Sequence, residues 1–167
     1  MSTQGSIRIE SKSKYTIEVN DKGETIAFDL ADFRLPAKLL NVYTNLEELT
    51  DKYEQESKSL LEREDIVVKT IDAVDLKGNK IEETLTQNTL DIMNLTDAYY
   101  TDSRNILDEF LGKDACQKIF GDTNYENMFD DLLEQLEPHF KKMGLNYQKM
   151  QKGLVNKYMP KDVAILK

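Results

Sequence analysis

Few side chains in this sequence are able to do chemistry near neutral pH. His139 is the only histidine and Cys116 the only cysteine. A metal centre built on His139 needs further ligands at set spacing, and no HExxH or CxxC pattern accompanies it; the neighbouring acids Glu134 and Glu137 do not supply one. A nucleophilic Cys116 needs a base within reach, and its neighbours Ile119 and Phe120 mark an apolar seam, so packing is the expected role. Two glycine turns invite a calcium reading. Around Gly23 the first ligand position falls on Glu18 and the fifth on Lys22; around Gly78 the first falls on Ala73. Both depart from a loop that requires oxygen ligands at alternate positions and an acid at the twelfth. The dense carboxylates, Asp29 with Asp32 and Asp130 and Asp131 with Glu134, read as solvated surface rather than an acid–base pair in a cleft. No phosphate-binding loop, dinucleotide fingerprint or serine triad context is present. The expectation is therefore a binding protein and not an enzyme, with no catalytic residue, no cofactor and no metal.

Charge narrows the partners. The chain of 167 residues carries a net −9. Its last stretch, from Lys141 onward, holds seven lysines and one acid, a net +6, so residues 1–140 carry −15. Nucleic acid is not expected as a partner, because phosphate binding rests on lysine and arginine neutralising the backbone. Acidity instead favours solubility or a basic partner. A single cysteine allows no internal disulfide, which fits a reducing compartment. The opening residues, MSTQGSIRIESKSK, hold no apolar run of the secretory type, and no stretch reaches the ~20 apolar residues of a membrane span.

The elements that would position a binding surface follow from periodicity. Residues 6–30 read as strands. Tyr15, Ile17 and Val19 alternate with polar neighbours, as do Ile26, Phe28 and Leu30, and Asn20-Asp21-Lys22-Gly23 between them is a hairpin turn. Ile7 and Ile9 are candidates for a third strand. From Pro36, a residue suited to a first helical turn, Leu39, Val42, Tyr43, Leu46, Leu49, Tyr53 and Leu60 recur at three and four. One long helix is expected from about 36 to the middle 60s or early 70s. Asp75–Lys80 reads as a short polar break. A second helical run from Thr89 to Phe110 should fold back on the first as an antiparallel pair. Its seam is diluted by Thr, Ser and Tyr, so the pair should be weak and adaptable. Gly112 ends it; a short helix Asp114–Phe120 follows, stopped by Gly121. Thr123-Asn124-Tyr125-Glu126 resembles a capping box opening a helix with Tyr125, Met128, Phe129, Leu132, Leu133, Leu136, Phe140 and Met143 on one face, kinked at Pro138. A lysine-rich amphipathic segment then runs to Tyr158. The fold class is thus α+β, mostly α: a β-hairpin region at 1–35, a long antiparallel helical pair at 36–111, a compact helical region at 112–158 and a loose tail at 159–167, read together as one domain.

Four side chains stand out as partner contacts. Tyr99 and Tyr100 are rigid anchors with polar tips on a thinly apolar helix; Met128 and Met143 bring adaptable thioethers to the C-terminal apolar face. A thin helical arm also invites self-association.

The stretch FLGKDACQKIFGDTNYENMFDDLLEQLEPHFKKM, Phe110 to Met143, together with IEVNDKGETIAFDL and the proline-led helix after it, resembles small proteins encoded among the tail genes of tailed phages and prophages of Gram-positive bacteria. In size, acidity and helical content the chain is similar to tail assembly chaperones. That resemblance implies binding to the tape measure protein and the tail tube protein during tail assembly in the cytoplasm of the bacterial host, with no active site to carry over. The alternatives are a structural component of the finished tail and an acidic inhibitor that mimics DNA.

Overall fold

A computed structural model describes residues 4–9 and 12–145. It contains, in order, β1 (Lys14–Glu18), β2 (Thr25–Asp29), α1 (Leu35–Glu62), β3 (Val67–Val74), β4 (Lys80–Thr86), α2 (Gln87–Leu111), α3 (Ala115–Phe120) and α4 (Met128–Lys142). The fold is α+β, with two separate antiparallel hairpins, a long helical pair and shorter C-terminal helices. Contacts divide the chain into two units, Met1–Tyr43 with Leu107–Lys167, and Thr44–Ile106.

In the first unit the expected N-terminal hairpin forms with Tyr15 opposite Phe28 and Ile17 opposite Ile26. Directly opposed residues share a face, so these four side chains make one apolar surface. Asn20 builds the turn. Its side-chain oxygen accepts from the backbone N–H groups of Lys22 and Glu24, and Gly23 adopts a φ of 77°. Its amide also donates to the carbonyl of Lys118 at 3.0 Å, fastening the turn to α3. Ile26 and Phe28 are buried with Leu39, Leu107, Met128, Leu136 and Phe140. The rings of Phe28, Phe110 and Phe140 meet pairwise at 5.3–6.2 Å. Leu30, expected on the same stripe, is exposed just past the end of β2.

Three local expectations are corrected here. Ile7 and Ile9 form no third strand; both lie almost fully exposed in irregular chain. The helix after Gly121 does not open at Thr123. Asn127 takes a left-handed φ of 63°, a conformation asparagine tolerates, and α4 begins at Met128 with no side-chain cap from Asn127. Leu133 is half-exposed, whereas Phe129 is buried as expected. Pro138 lies inside α4. The lysine-rich run to Tyr158 beyond residue 145, and the tail at 159–167, lie outside the described residues.

The second unit contains the largest departure from the sequence reading. The helix does not continue toward the early 70s, and the break at 75–80 is more than a linker. The chain leaves α1 at Glu62 and forms the β3–β4 hairpin, and Asp75–Lys80 is its turn. Ile66, Val67, Val68, Thr70, Ile71 and Val74 are β-branched, stiff at χ1, and favour a pleated strand over a helix. The Asp75 carboxylate accepts from the N–H groups of Lys77 and Asn79, and Gly78 takes a φ of 83°. These contacts also hold the Asp75 carboxyl below its usual range, the Asn79 N–H contributing most.

Candidate functional site

The helical pair of the second unit is antiparallel, as its cross-pairs show: Thr50 and Tyr53 meet Tyr99, Tyr53 also meets Thr96, and Arg63 meets Asp91. Its seam is polar, as the sequence predicts. The hydroxyls of Tyr53 and Thr96 are bonded at 2.9 Å and those of Thr50 and Tyr99 at 3.2 Å. The Tyr53 and Tyr99 rings lie tilted with centroids 4.9 Å apart. The hydroxyls of Ser57 and Ser103 are buried with no partner among the described residues. Such a seam leaves apolar contact unused, and neutral hydrogen bonds exchange with water at little net gain.

A polar clasp closes the base of this pair. Asn88, itself buried, accepts from Arg63 Nε at 2.6 Å through its side-chain oxygen and donates to the Arg63 carbonyl. Its backbone N–H donates to the Asp65 carboxylate, and the Gln87 N–H to the Ile66 carbonyl. Thr86 accepts from the Thr89 N–H and so caps α2. Arg63 and Asp91 form an ion pair. The hydrogen bond from Arg63, and then that from Gln87, lower the Asp91 carboxyl below its usual range. Desolvation pushes Asp65 upward, but the N–H of Asn88, the hydroxyl of Thr86 and the N–H of Ile66 together outweigh it. No sequence motif announced this clasp. Its members are polar residues scattered from 63 to 91, and only the hairpin between them brings them together.

One side of the pair is hollowed into a groove of about 650 Å³, lined by Leu60 and Leu95 with the polar side chains of Glu56, Asp91, Gln55 and Asn94. A smaller hollow shares Glu56 and Leu95 and reaches Leu49, Tyr53, Tyr99 and Asp102. The groove thus combines two leucines with polar side chains and two acids, of which Asp91 is paired with Arg63. The second unit as a whole has fifteen acidic side chains against seven basic ones, a net −8.

Of the four side chains singled out from the sequence, Tyr99 lines this groove but is held in the seam by Tyr53 and Thr50. Tyr100, half-buried, stacks edge-on against Tyr99 at 5.6 Å. Met128 is wholly buried in the core of the first unit and offers no surface, because α4 turns its apolar face inward. Met143 is half-exposed at the end of α4. Asp130 and Asp131 lie on the exposed side of the first turn of α4, as solvated surface.

The residues with chemical potential are engaged structurally. His139 Nδ1 and the Tyr15 hydroxyl are hydrogen-bonded at 2.8 Å, joining α4 to β1. Cys116 is buried, and its backbone N–H donates to the Asp108 carboxylate at 2.8 Å. No cluster of three or more His, Cys, Asp or Glu side chains suited to a metal occurs among the described residues. No described helix is long and apolar enough to cross a membrane.

Fold and groove together define an α+β protein with a hydrogen-bonded helical arm. Comparison with protein-family models, with curated proteins and with solved structures finds no match.

Proposed function

We propose that this chain is a tail assembly chaperone of a tailed phage or prophage, which works in the cytoplasm of the host by holding the tape measure protein and delivering it to the tail tube protein, without catalysis. The observation that carries this reading is the groove between α1 and α2, which brings Leu60 and Leu95 together with Glu56 and Asp91 beside a polar seam. A tape measure protein is long and helical and keeps apolar surface exposed until a tube encloses it. A groove of this kind receives one turn after another of an amphipathic helix, and it releases it because no large apolar patch is permanently closed. The resemblance of the Phe110–Met143 stretch to phage tail-region proteins supports the choice of partner, and the groove is compatible with holding a helix.

The test is co-expression of the tagged chain with the neighbouring tail genes, followed by capture and mass spectrometry. Recovery of the tape measure protein, soluble only when this chain is present, is the expected result. Leu95→Glu, which places a charge in the groove, should abolish that recovery while the α-helical circular dichroism persists. Failure to recover any tail protein overturns the reading. Presence of the chain in purified virions would make it a structural component of the tail instead.

A further inference from the structure

No residue of the β3 and β4 strands is buried. Half of the large apolar side chains that stand exposed lie in the sixteen residues from Ile66 to Ile81: Ile66, Val67, Val68, Ile71, Val74, Leu76 and Ile81. An isolated two-stranded hairpin is marginal in water and gains stability when further strands join it. Its outer edges are open, since β3 pairs only with β4 among the described residues. An exposed, β-branched edge without proline is a template for strand addition, and the strand that fits it is decided by side-chain pattern.

The pattern of β3 fits itself. The N–H of Asp75 bonds inward to the Asn79 carbonyl. By alternation, the backbone groups of Ala73, Ile71 and Lys69 also point to β4, and those of Thr70, Asp72 and Val74 point to the open edge. A second β3 can therefore add antiparallel about a two-fold axis through one residue. Centred on Lys69 or on Asp72, the axis sets like charges directly opposite. Centred on Thr70, it sets the two Lys69 side chains on a diagonal. Centred on Ile71, it sets Lys69 opposite Ala73 with Asp75 on the diagonal, and Thr70 opposite Asp72. The two Asp72 side chains also lie on a diagonal, but the symmetry gives two Lys69–Asp75 diagonals against that single like-charge one. Asp75 is held ionised by its turn and is suited to meet a lysine. The Ile71 pair falls at a position without mutual hydrogen bonds, where side chains approach most closely. Ile71 and Ala73 share their face with Ile81 and Leu85, and with the charged Lys69 and Glu83, so the pairing joins mixed faces in which Ile71 meets its own copy.

We propose that the chain forms a two-fold homodimer through the open edge of β3, with Ile71 on the axis, giving the four-stranded antiparallel sheet β4–β3–β3–β4. The isologous pairing makes two Lys69–Asp75 diagonals against one Asp72–Asp72 diagonal, so its charges are complementary on balance, as a closed dimer requires. It needs no tail protein, so its success or failure stands apart from the chaperone reading.

The experiment uses the purified full chain. Light scattering at tens of micromolar should give twice the 19.3 kDa chain mass. Single-cysteine substitutions then test the register, since the native thiol Cys116 is buried. On mild oxidation Ile71→Cys should form an interchain disulfide, because its Cα atoms would sit within about 4.4–6.8 Å. Thr70→Cys and Ile81→Cys should not, the first being offset by two residues and the second lying on the outer strand. Asp72→Pro removes only an outward N–H and should give monomer with unchanged helical signal. A native chain of monomer mass, or equal cross-linking of all three cysteine variants, would overturn the proposal. So would an Asp72→Pro variant that remains dimeric.

Discussion

The two units of this chain spend their side chains in opposite ways. The first buries a continuous apolar core of Phe28, Leu39, Leu107, Met128, Leu136 and Phe140. The second joins its helices by hydroxyls, an ion pair and a buried asparagine, and leaves its hairpin bare. Apolar burial is non-directional and fixes one arrangement by shape. A hydrogen-bonded seam can be traded for water or for a partner at small net change. The contrast teaches that the first unit is the anchor of the fold and the second its adaptable surface.

Substitutions can sharpen that contrast. The largest effect should come from Phe140→Ala, which empties a site where three aromatic rings converge and should cost about 3–5 kcal/mol in a denaturant titration. A cost below about 1 kcal/mol would mean that the first unit is as loosely packed as the second. Next comes Asn88→Ala. It strips Arg63 Nε of its acceptor within the clasp and should cost about 1–3 kcal/mol. Its signature is local: amide protection should fall around 63–91 and persist around 128–140, as measured by hydrogen exchange.

The contrast was only half legible in the sequence. The first hairpin was read correctly because Asn20-Asp21-Lys22-Gly23 sits between two clean alternations. Asp75-Leu76-Lys77-Gly78 uses the same turn chemistry, yet in sequence it reads only as a short polar break. The flanking runs carry charges at Lys69, Asp72, Glu82 and Glu83 on both faces, because the hairpin has little core to alternate against. The β-branched density from Ile66 to Val74 was the usable signal. The polar seam was legible in the Thr and Tyr positions of both helices, and the structure pairs those residues directly. The groove and the clasp were not, since both depend on which helix turns face one another. Met128 was misplaced for a related reason. A methionine on an apolar stripe looks the same in sequence whether the stripe is covered or open, and here it is covered.

A smaller effect, of opposite sign, tests the second unit from within. The Ser103 hydroxyl is buried with no partner among the described residues, which leaves its desolvation uncompensated there. Ser103→Ala should therefore stabilise by about 1 kcal/mol, from the removed polar group and the better helix former together. A loss of stability would show that the hydroxyl has a partner in solution.

The smallest effect is on pH. The Asp91 carboxyl is lowered chiefly by its hydrogen bond from Arg63. A carboxyl lowered by folding contributes stability that is fully present above its unfolded value, about 3.9, and is lost as pH falls through the lower folded value. The side chain is exposed enough for solvent to screen the pair, so only a modest change is expected. Thermal melts at pH 6 and pH 3 should show acid loosening of the second unit in the native chain. Asp91→Asn, already lacking the charge, should lose less between the same two pH values, with Asp65 accounting for what remains. Equal acid sensitivity in both chains would remove the ion pair from the clasp and leave Asn88 as the residue that closes the helical arm.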